Sequence, residues 1–169
     1  INLISEALQL VFGSDLSSVY SKSQATLPER YGVGIADEHL LGIPTSDIVL
    51  ENGYKFMVNW QTGQKTGFFL DQRVNRALLG EYSAGKTVLN TFAYSGGFSI
   101  YALGGGAEKV VSVDISKTAV DLIDENVKIS FGEEERHTSL KADVMKYLGE
   151  EEEEFDIVIV DPPAFAKNV

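Results

Sequence analysis

The stretch "TVLNTFAYSGGFSIYALGG", residues 87–105, runs from a continuous apolar segment through a glycine turn into an apolar stretch of helical length. A strand that is apolar on both faces must be covered on both faces, which is the situation of a parallel sheet between helices. The same rhythm then repeats. "KVVSVD" (109–114) is a second buried strand, and Ser116 can cap a helix over 117–129 that carries Ala119, Leu122, Ile123 and Val127 on one face. A short third strand lies near 138–142, "VMKYLGE" (144–150) is a brief helix, and "FDIVIVD" (155–161) is a fourth strand. Strands alternating with helices predict βαβ units and a Rossmann-like α/β sheet with four parallel strands.

The residues before this region follow different patterns. Residues 2–12 place apolar side chains at helical spacing, with Gly13 as a stop, and "LSSVYSKS" (16–23) alternates as a strand does. Residues 24–46 hold Pro28, Pro44 and three glycines and read as an irregular connection. "DIVLE", the turn pair Asn52-Gly53 and "YKFMVNW" then predict a hairpin. "QTGQ" is a second turn, "KTGFF" a short strand, and Asp71 is placed to cap a helix over 72–83 that ends near Gly85. The expected organisation is a partial α+β linker region over 1–46, a hairpin extension over 47–70 and the Rossmann-like domain over 71–169.

Composition narrows the function. The chain of 169 residues has 25 acidic and 14 basic side chains, a net charge of −11, which argues against a general nucleic-acid binder. Much of the excess sits in Glu133–Glu135 and Glu150–Glu154, which read as solvated surface. The absence of cysteine excludes a disulfide scaffold and a Cys-ligated metal and fits a cytoplasmic protein. No apolar run reaches membrane-span length, so no membrane partner is expected. No signal peptide is visible, and the chain opens on Ile1 rather than Met, so it reads as a piece of something longer.

The glycine turn, Tyr94-Ser95-Gly96-Gly97, lets backbone approach a ligand closely. It lacks the G-x-G-x-x-G spacing of a dinucleotide site and the Lys-Ser/Thr of a P-loop. No lysine or arginine lies between Asn90 and Glu108, so nothing local offers charge to a phosphate. Asp114 closes the second strand, seventeen positions after Gly97, where an acid can accept hydrogen bonds from two ribose hydroxyls. Asp143 closes the third strand, where it can accept from an adenine amino group or cap the helix that starts at Val144. The fourth strand ends in Asp161-Pro162-Pro163, whose prolines stiffen the loop and remove N–H donors, as suits a wall for an acceptor base. Ribose, adenine and no phosphate point to S-adenosylmethionine. A nicotinamide-dependent oxidoreductase on a similar sheet is disfavoured by the missing glycine pattern. A non-catalytic RNA-binding module is disfavoured by the intact glycine turn, Asp114 and Asp143.

"QKTGFFLDQRVNR" (64–76), "VLNTFAYSGGFSIYA" (88–102), "VVSVDIS" (110–116) and "DIVIVDPPAFAK" (156–167) resemble the class I methyltransferases that modify large-subunit ribosomal RNA. The resemblance is strongest to the cytosine-5 branch, whose members carry an N-terminal PUA domain. A sister branch that methylates guanine N7 shares the L-D-x-R-x-N-R and D-P-P stretches. The resemblance implies that Lys65, Thr66 and Gly67, with Gln72 and Arg73, flank the methionine end of the cofactor. It implies that Phe92, Tyr94, Ser95, Gly96 and Gly97 form the methionine-side loop and that Asp114 takes the ribose. Ile115 would pack on the adenine, Asp143 and Val144 would read its edge, and Asp161, Pro162 and Pro163 would face the target base.

Some family features are missing from these 169 residues: the sheet would have four of the family's seven strands, the PUA domain is absent, and there is no cysteine nucleophile. Expected partners are large-subunit ribosomal RNA and, as an open question, a second copy in a homodimer. RNA contact is expected in part from a hairpin made basic by Lys55, Lys65, Arg73, Arg76 and Lys86. Tyr54, Phe56 and Trp60 share one strand face there, for base stacking or for core packing, and packing is the reading taken for at least two of them. His39 and His137 are assigned no role. Ala164 stands where an amino-methylating motif would carry an aromatic, with Phe165 one place late, which weakens transfer to an exocyclic amine.

Overall fold

The computed structural model describes residues 2–24, 36–44, 46–63 and 66–163. The chain forms two compact units, one of residues 1–47 and 58–68, the other of residues 48–57 and 69–169.

In the first unit, helix α1 (Asn2–Phe12) runs into a single 3-10 turn over Gly13–Asp15. Strands β1 (Val19–Ser21) and β2 (Glu38–Leu41) pair antiparallel, with a register shift between Val19 and Tyr20. β2 lies inside the stretch expected to be irregular. Its sequence, Glu-His-Leu-Leu, has no period-two pattern, and only the long-range partner β1 makes it a strand. The expected strand over "KTGFF" does not form across residues 66–69, where Gly67 takes a φ of +83° that breaks an extended run.

The second unit opens with the hairpin β3 (Ile48–Glu51) and β4 (Tyr54–Met57). Asn52 and Gly53 both have positive φ, 50° and 89°, as the two-residue turn that matches strand twist requires. A 3-10 turn (Leu70–Gln72) leads into α2 (Arg73–Tyr82). Asp71 sits within that turn and does not cap the helix. Gln72 holds the cap position and makes no side-chain cap bond.

Then come β5 (Thr87–Thr91), α3 (Gly97–Gly104), β6 (Lys109–Asp114), α4 (Lys117–Phe131), β7 (His137–Lys141), α5 (Val144–Glu150) and β8 (Ile157–Val160). The four strands form one parallel sheet in the order β7-β6-β5-β8. The expected α/β sheet is thus present, and Ser116 caps α4 by accepting from Ala119 N.

Alternate residues of the central strands face opposite layers. Leu89, Val111 and Val113 pack with Val144 of α5 on one face. Val88, Asn90, Val110 and Ser112 face the α3–α4 layer and are at most 2 % exposed. Because β6 and β8 flank β5 on opposite sides, the crossover changes direction beside the carboxyl end of β5. That topological switch point is where an open α/β sheet leaves a crevice.

Candidate functional site

At that crevice the chain leaves β5 in a backbone conformation that ordinary residues avoid. Phe92, Tyr94 and Gly96 have φ of 52°, 47° and 72°. Two aromatic residues in the left-handed region cost strain that the surroundings must hold in place, and such positions cluster at ligand sites. The surroundings here are well defined. Ala93 N donates to Val113 O at 3.2 Å and Gly96 N to Ala93 O at 2.8 Å. Tyr94 N donates to Asp114 Oδ2 at 2.9 Å, and Asn126 Nδ2 donates to Ser95 O at 2.8 Å.

A side chain at either glycine would collide: a Cβ on Gly96 would meet Ile123 Cγ2 at 3.0 Å, and one on Gly97 would meet Arg76 Cδ at 2.9 Å. α3 begins at Gly97 with no side-chain cap, so its first N–H groups are open to an anionic ligand group.

Asp114, at the end of β6, is half-buried. Its Oδ1 accepts from Ser116 N at 2.9 Å while Oδ2 holds Tyr94 N. The carboxylate therefore shapes the glycine turn and retains lone pairs for ligand hydroxyls. Ile115 beside it is 63 % exposed, an apolar surface next to the ribose candidate. Asp143 realises its capping alternative, with Oδ1 accepting from Lys146 N at 3.0 Å at the start of α5. The Val144 side chain is in the core.

At the end of β8, Asp161 Oδ2 accepts from Gln72 Nε2 at 3.2 Å, and Asn75 Nδ2 holds Gln72 Oε1 at 2.7 Å. Pro162 and Pro163 are exposed. The structure thus brings Phe92–Gly97, Asp114, Asp161 and Gln72 to one sheet edge. Arg73 instead donates to Asn52 Oδ1 at 2.9 Å at the hairpin tip. Thr66 and Gly67 belong to the first unit, where Thr66 Oγ1 donates to Phe68 O. Lys65, Ala164 and Phe165 lie outside the described residues.

Behind the turn lies a polar cluster that the sequence patterns did not single out. Arg76, 3 % exposed, makes a bidentate pair with Glu51 at 2.8 Å and donates from Nη1 to Phe69 O at 2.9 Å. Tyr101 of α3 donates to Glu51 Oε1 at 3.0 Å; its burial, then its bond to Glu51, raise the phenol pKa to about 12. Arg76 is therefore not part of a basic surface, and Lys86 is paired with Asp156. Tyr54 packs edge-on against Tyr101, and Phe56 is wholly buried and stacks on the same ring, so neither offers a face to a base. The usable signals were Arg76 three residues before buried Leu79, and Asn126 between buried Ile123 and Val127.

Among the described residues no group of acidic or histidine side chains could hold a metal ion, and no helix is long and apolar enough to cross a membrane.

Residues 10–169 match the family described as S-adenosylmethionine-dependent methyltransferase. The chain is 39% identical to "Ribosomal RNA large subunit methyltransferase I" of Aeromonas salmonicida over 98% of its own length and 43% of that protein. It is 42% identical to the protein of the same name from Alteromonas mediterranea over 89% of its length and 39% of that protein. It therefore spans about two-fifths of the length of these relatives. A solved methyltransferase in complex with SAH superposes with a TM-score of 0.70 at 38% identity, over 78% of this chain and 36% of that one.

Proposed function

The chain belongs to the S-adenosylmethionine-dependent methyltransferases, and on that premise we propose that the protein methylates large-subunit ribosomal RNA at carbon 5 of cytosine. The observation that carries the cofactor half of this reading is Asp114. Its carboxylate fixes the strained turn through Tyr94 N and stands beside the bare Ile115 side chain. The donor set fits the group: a carboxylate for ribose hydroxyls, an apolar side chain for adenine, and uncapped helix N–H groups for the methionine carboxylate, while the arginine nearest the turn, Arg76, is already paired with Glu51 rather than offered to a phosphate. The bound cofactor would supply an electrophilic methyl group on a sulfonium.

The chain's own residues then have positioning work, which dominates a displacement at an already activated carbon. Phe92–Gly97 hold the methionine end, Asp114 fixes the ribose, and Asp143 and the backbone of Val144 border the adenine. Asp161, steadied by Gln72, forms with Pro162 and Pro163 the wall on which the target base lies.

Cytosine carbon 5 is a weak nucleophile. A thiolate that adds to carbon 6 makes carbon 5 electron-rich; after methylation the carbon 5 proton leaves and the thiolate is expelled. These 169 residues contain no cysteine, so on this reading the thiolate belongs to a part of the protein outside them. The RNA half of the proposal is supported by the names of the relatives and by the D-P-P stretch.

The test gives the full-length protein RNA that carries 5-fluorocytosine. Fluorine cannot leave as a proton does, so the enzyme should remain covalently trapped. Methylation of ordinary RNA with no adduct on the fluorinated RNA would favour the second reading, guanine N7, for which the shared L-D-x-R-x-N-R and D-P-P stretches speak.

A further inference from the structure

We propose that the β3–β4 hairpin braces the cofactor turn, with Arg76, Glu51 and Asn126 as positioning residues that set the geometry of residues 92–97. Two sets of contacts run from the hairpin to the turn. Glu51, the last residue of β3, clasps Arg76 through both carboxylate oxygens, and the Arg76 side chain lies directly under Gly97. The same guanidinium holds Phe69 O, and the Phe69 ring meets the Tyr94 ring edge-on with centroids 5.5 Å apart. Arg76 therefore touches the turn directly at Gly97 and, through one ring, at Tyr94. From β4, Met57 N donates to Asn126 Oδ1 at 2.6 Å, and the other end of that amide holds Ser95 O. Asn126 is wholly buried, and Glu51 and Arg76 nearly so.

Stability alone is a poor explanation for this arrangement. A buried ion pair loses hydration on both partners, and well-packed apolar residues of similar volume commonly stabilise a fold as well or better. What apolar residues cannot supply is direction. The guanidinium fork fixes Glu51 and Phe69 O relative to each other, with the Arg76 stem held beneath Gly97. The Asn126 amide fixes the distance between a hairpin N–H and a turn carbonyl. Both devices act on a loop whose two non-glycine residues at positive φ need external support.

The inference rests on the cofactor reading of the turn, and the test separates the two. In the full-length protein, the triple variant Glu51→Leu, Arg76→Met, Tyr101→Phe removes the polar cluster and leaves no hydroxyl orphaned. Its urea midpoint should match or exceed that of the wild type, while its dissociation constant for S-adenosylhomocysteine, read by calorimetry, should rise at least tenfold. Arg76→Lys keeps the buried charge paired but cannot span Glu51 and Phe69 O together, so it should weaken binding in the same direction. A folded variant of either kind that binds within twofold of the wild type overturns the brace and leaves the cofactor site standing. Loss of folding in both would make the pair a requirement of the fold and overturn it too. A wild type that does not bind S-adenosylhomocysteine removes the cofactor reading and the brace with it.

Discussion

Each oxygen of the Asp114 carboxylate accepts one backbone N–H, from Tyr94 and from Ser116, and each can still accept a ribose hydroxyl. Asp114→Ala removes charge-assisted hydrogen bonds of roughly 1.5–3 kcal/mol to the ligand. Affinity for S-adenosylhomocysteine should fall by roughly one to two orders of magnitude in calorimetry, and an unchanged dissociation constant would take Asp114 out of the site. Glycines differ in the same residue-by-residue way. The Cβ of Gly97→Ala would lie 2.9 Å from Arg76 Cδ, and Arg76 cannot swing aside because Glu51 and Phe69 O hold its far end. Overpacking of this kind costs about 1–3 kcal/mol. Gly149, inside α5, has nothing within 4 Å of a Cβ, so Gly149→Ala should instead stabilise by about 0.5–1 kcal/mol. Denaturant midpoints of the two variants should move in opposite directions.

Elements whose local chemistry dictates their form were legible in the sequence. Asn52-Gly53 demanded the hairpin, Ser116 the start of α4, and the apolar runs 87–92 and 109–114 the two central strands. Elements that depend on a distant partner were not: β2 exists because β1 lies beside it, and the entry to α2 is a 3-10 turn that displaces Asp71 from the cap position. Asp143 shows where sequence leaves two readings open, because a helix cap and an adenine acceptor need the same residue at the same place. Substitution separates them. Asp143→Ala should cost roughly 0.5–2 kcal/mol of stability through the lost cap, whereas Asp143→Asn should cost next to nothing, since asparagine caps about as well. If the carboxylate also accepts from the adenine amino group, Asp143→Asn should weaken S-adenosylhomocysteine binding several-fold at unchanged stability. Equal affinity would leave Asp143 as a cap alone.

At the scale of the whole molecule, the strand–helix alternation gave the layered sheet, because apolar period and length carry that information. The polar groups that cross between layers were invisible, since arginine, glutamate, asparagine, serine and histidine are surface residues by default. One such set runs through the second unit from β5 to β7. Asn90 Nδ2 donates to Ser99 Oγ at 2.8 Å, Ser99 and Ser112 hydroxyls meet at 2.7 Å, and Ser112 Oγ meets His137 Nε2 at 2.8 Å. The Asn90 amide nitrogen can only donate, the two hydroxyls can each pass donation on, and a neutral imidazole nitrogen can accept it at the end of the chain. Burial lowers the His137 pKa, although Asp124 and Glu134 pull the other way; Lys128, Glu133 and Gly132 line the same hollow. Between the unfolded value of about 6.5 and the lower folded value, the unfolded chain binds a proton that the native chain does not. His137 therefore favours the fold fully above that unfolded value, and the contribution is lost as pH falls through the folded one. Glu134, held low by Arg136, and Asp156, held low by Thr87 N, also lose stability on acidification. His137→Gln keeps an acceptor for Ser112 but does not titrate; comparison with it cancels the Asp156 contribution and the part of the Glu134 contribution that comes from Arg136, and leaves the His137–Glu134 coupling with the histidine. Urea unfolding at steps between pH 7.5 and about 5 should show wild-type stability falling relative to His137→Gln, by about 1.4 kcal/mol for each unit that the pKa is depressed. Parallel curves across that window would mean that the imidazole ionises as freely in the fold as out of it, and that the hydroxyl chain does not depend on its neutral form.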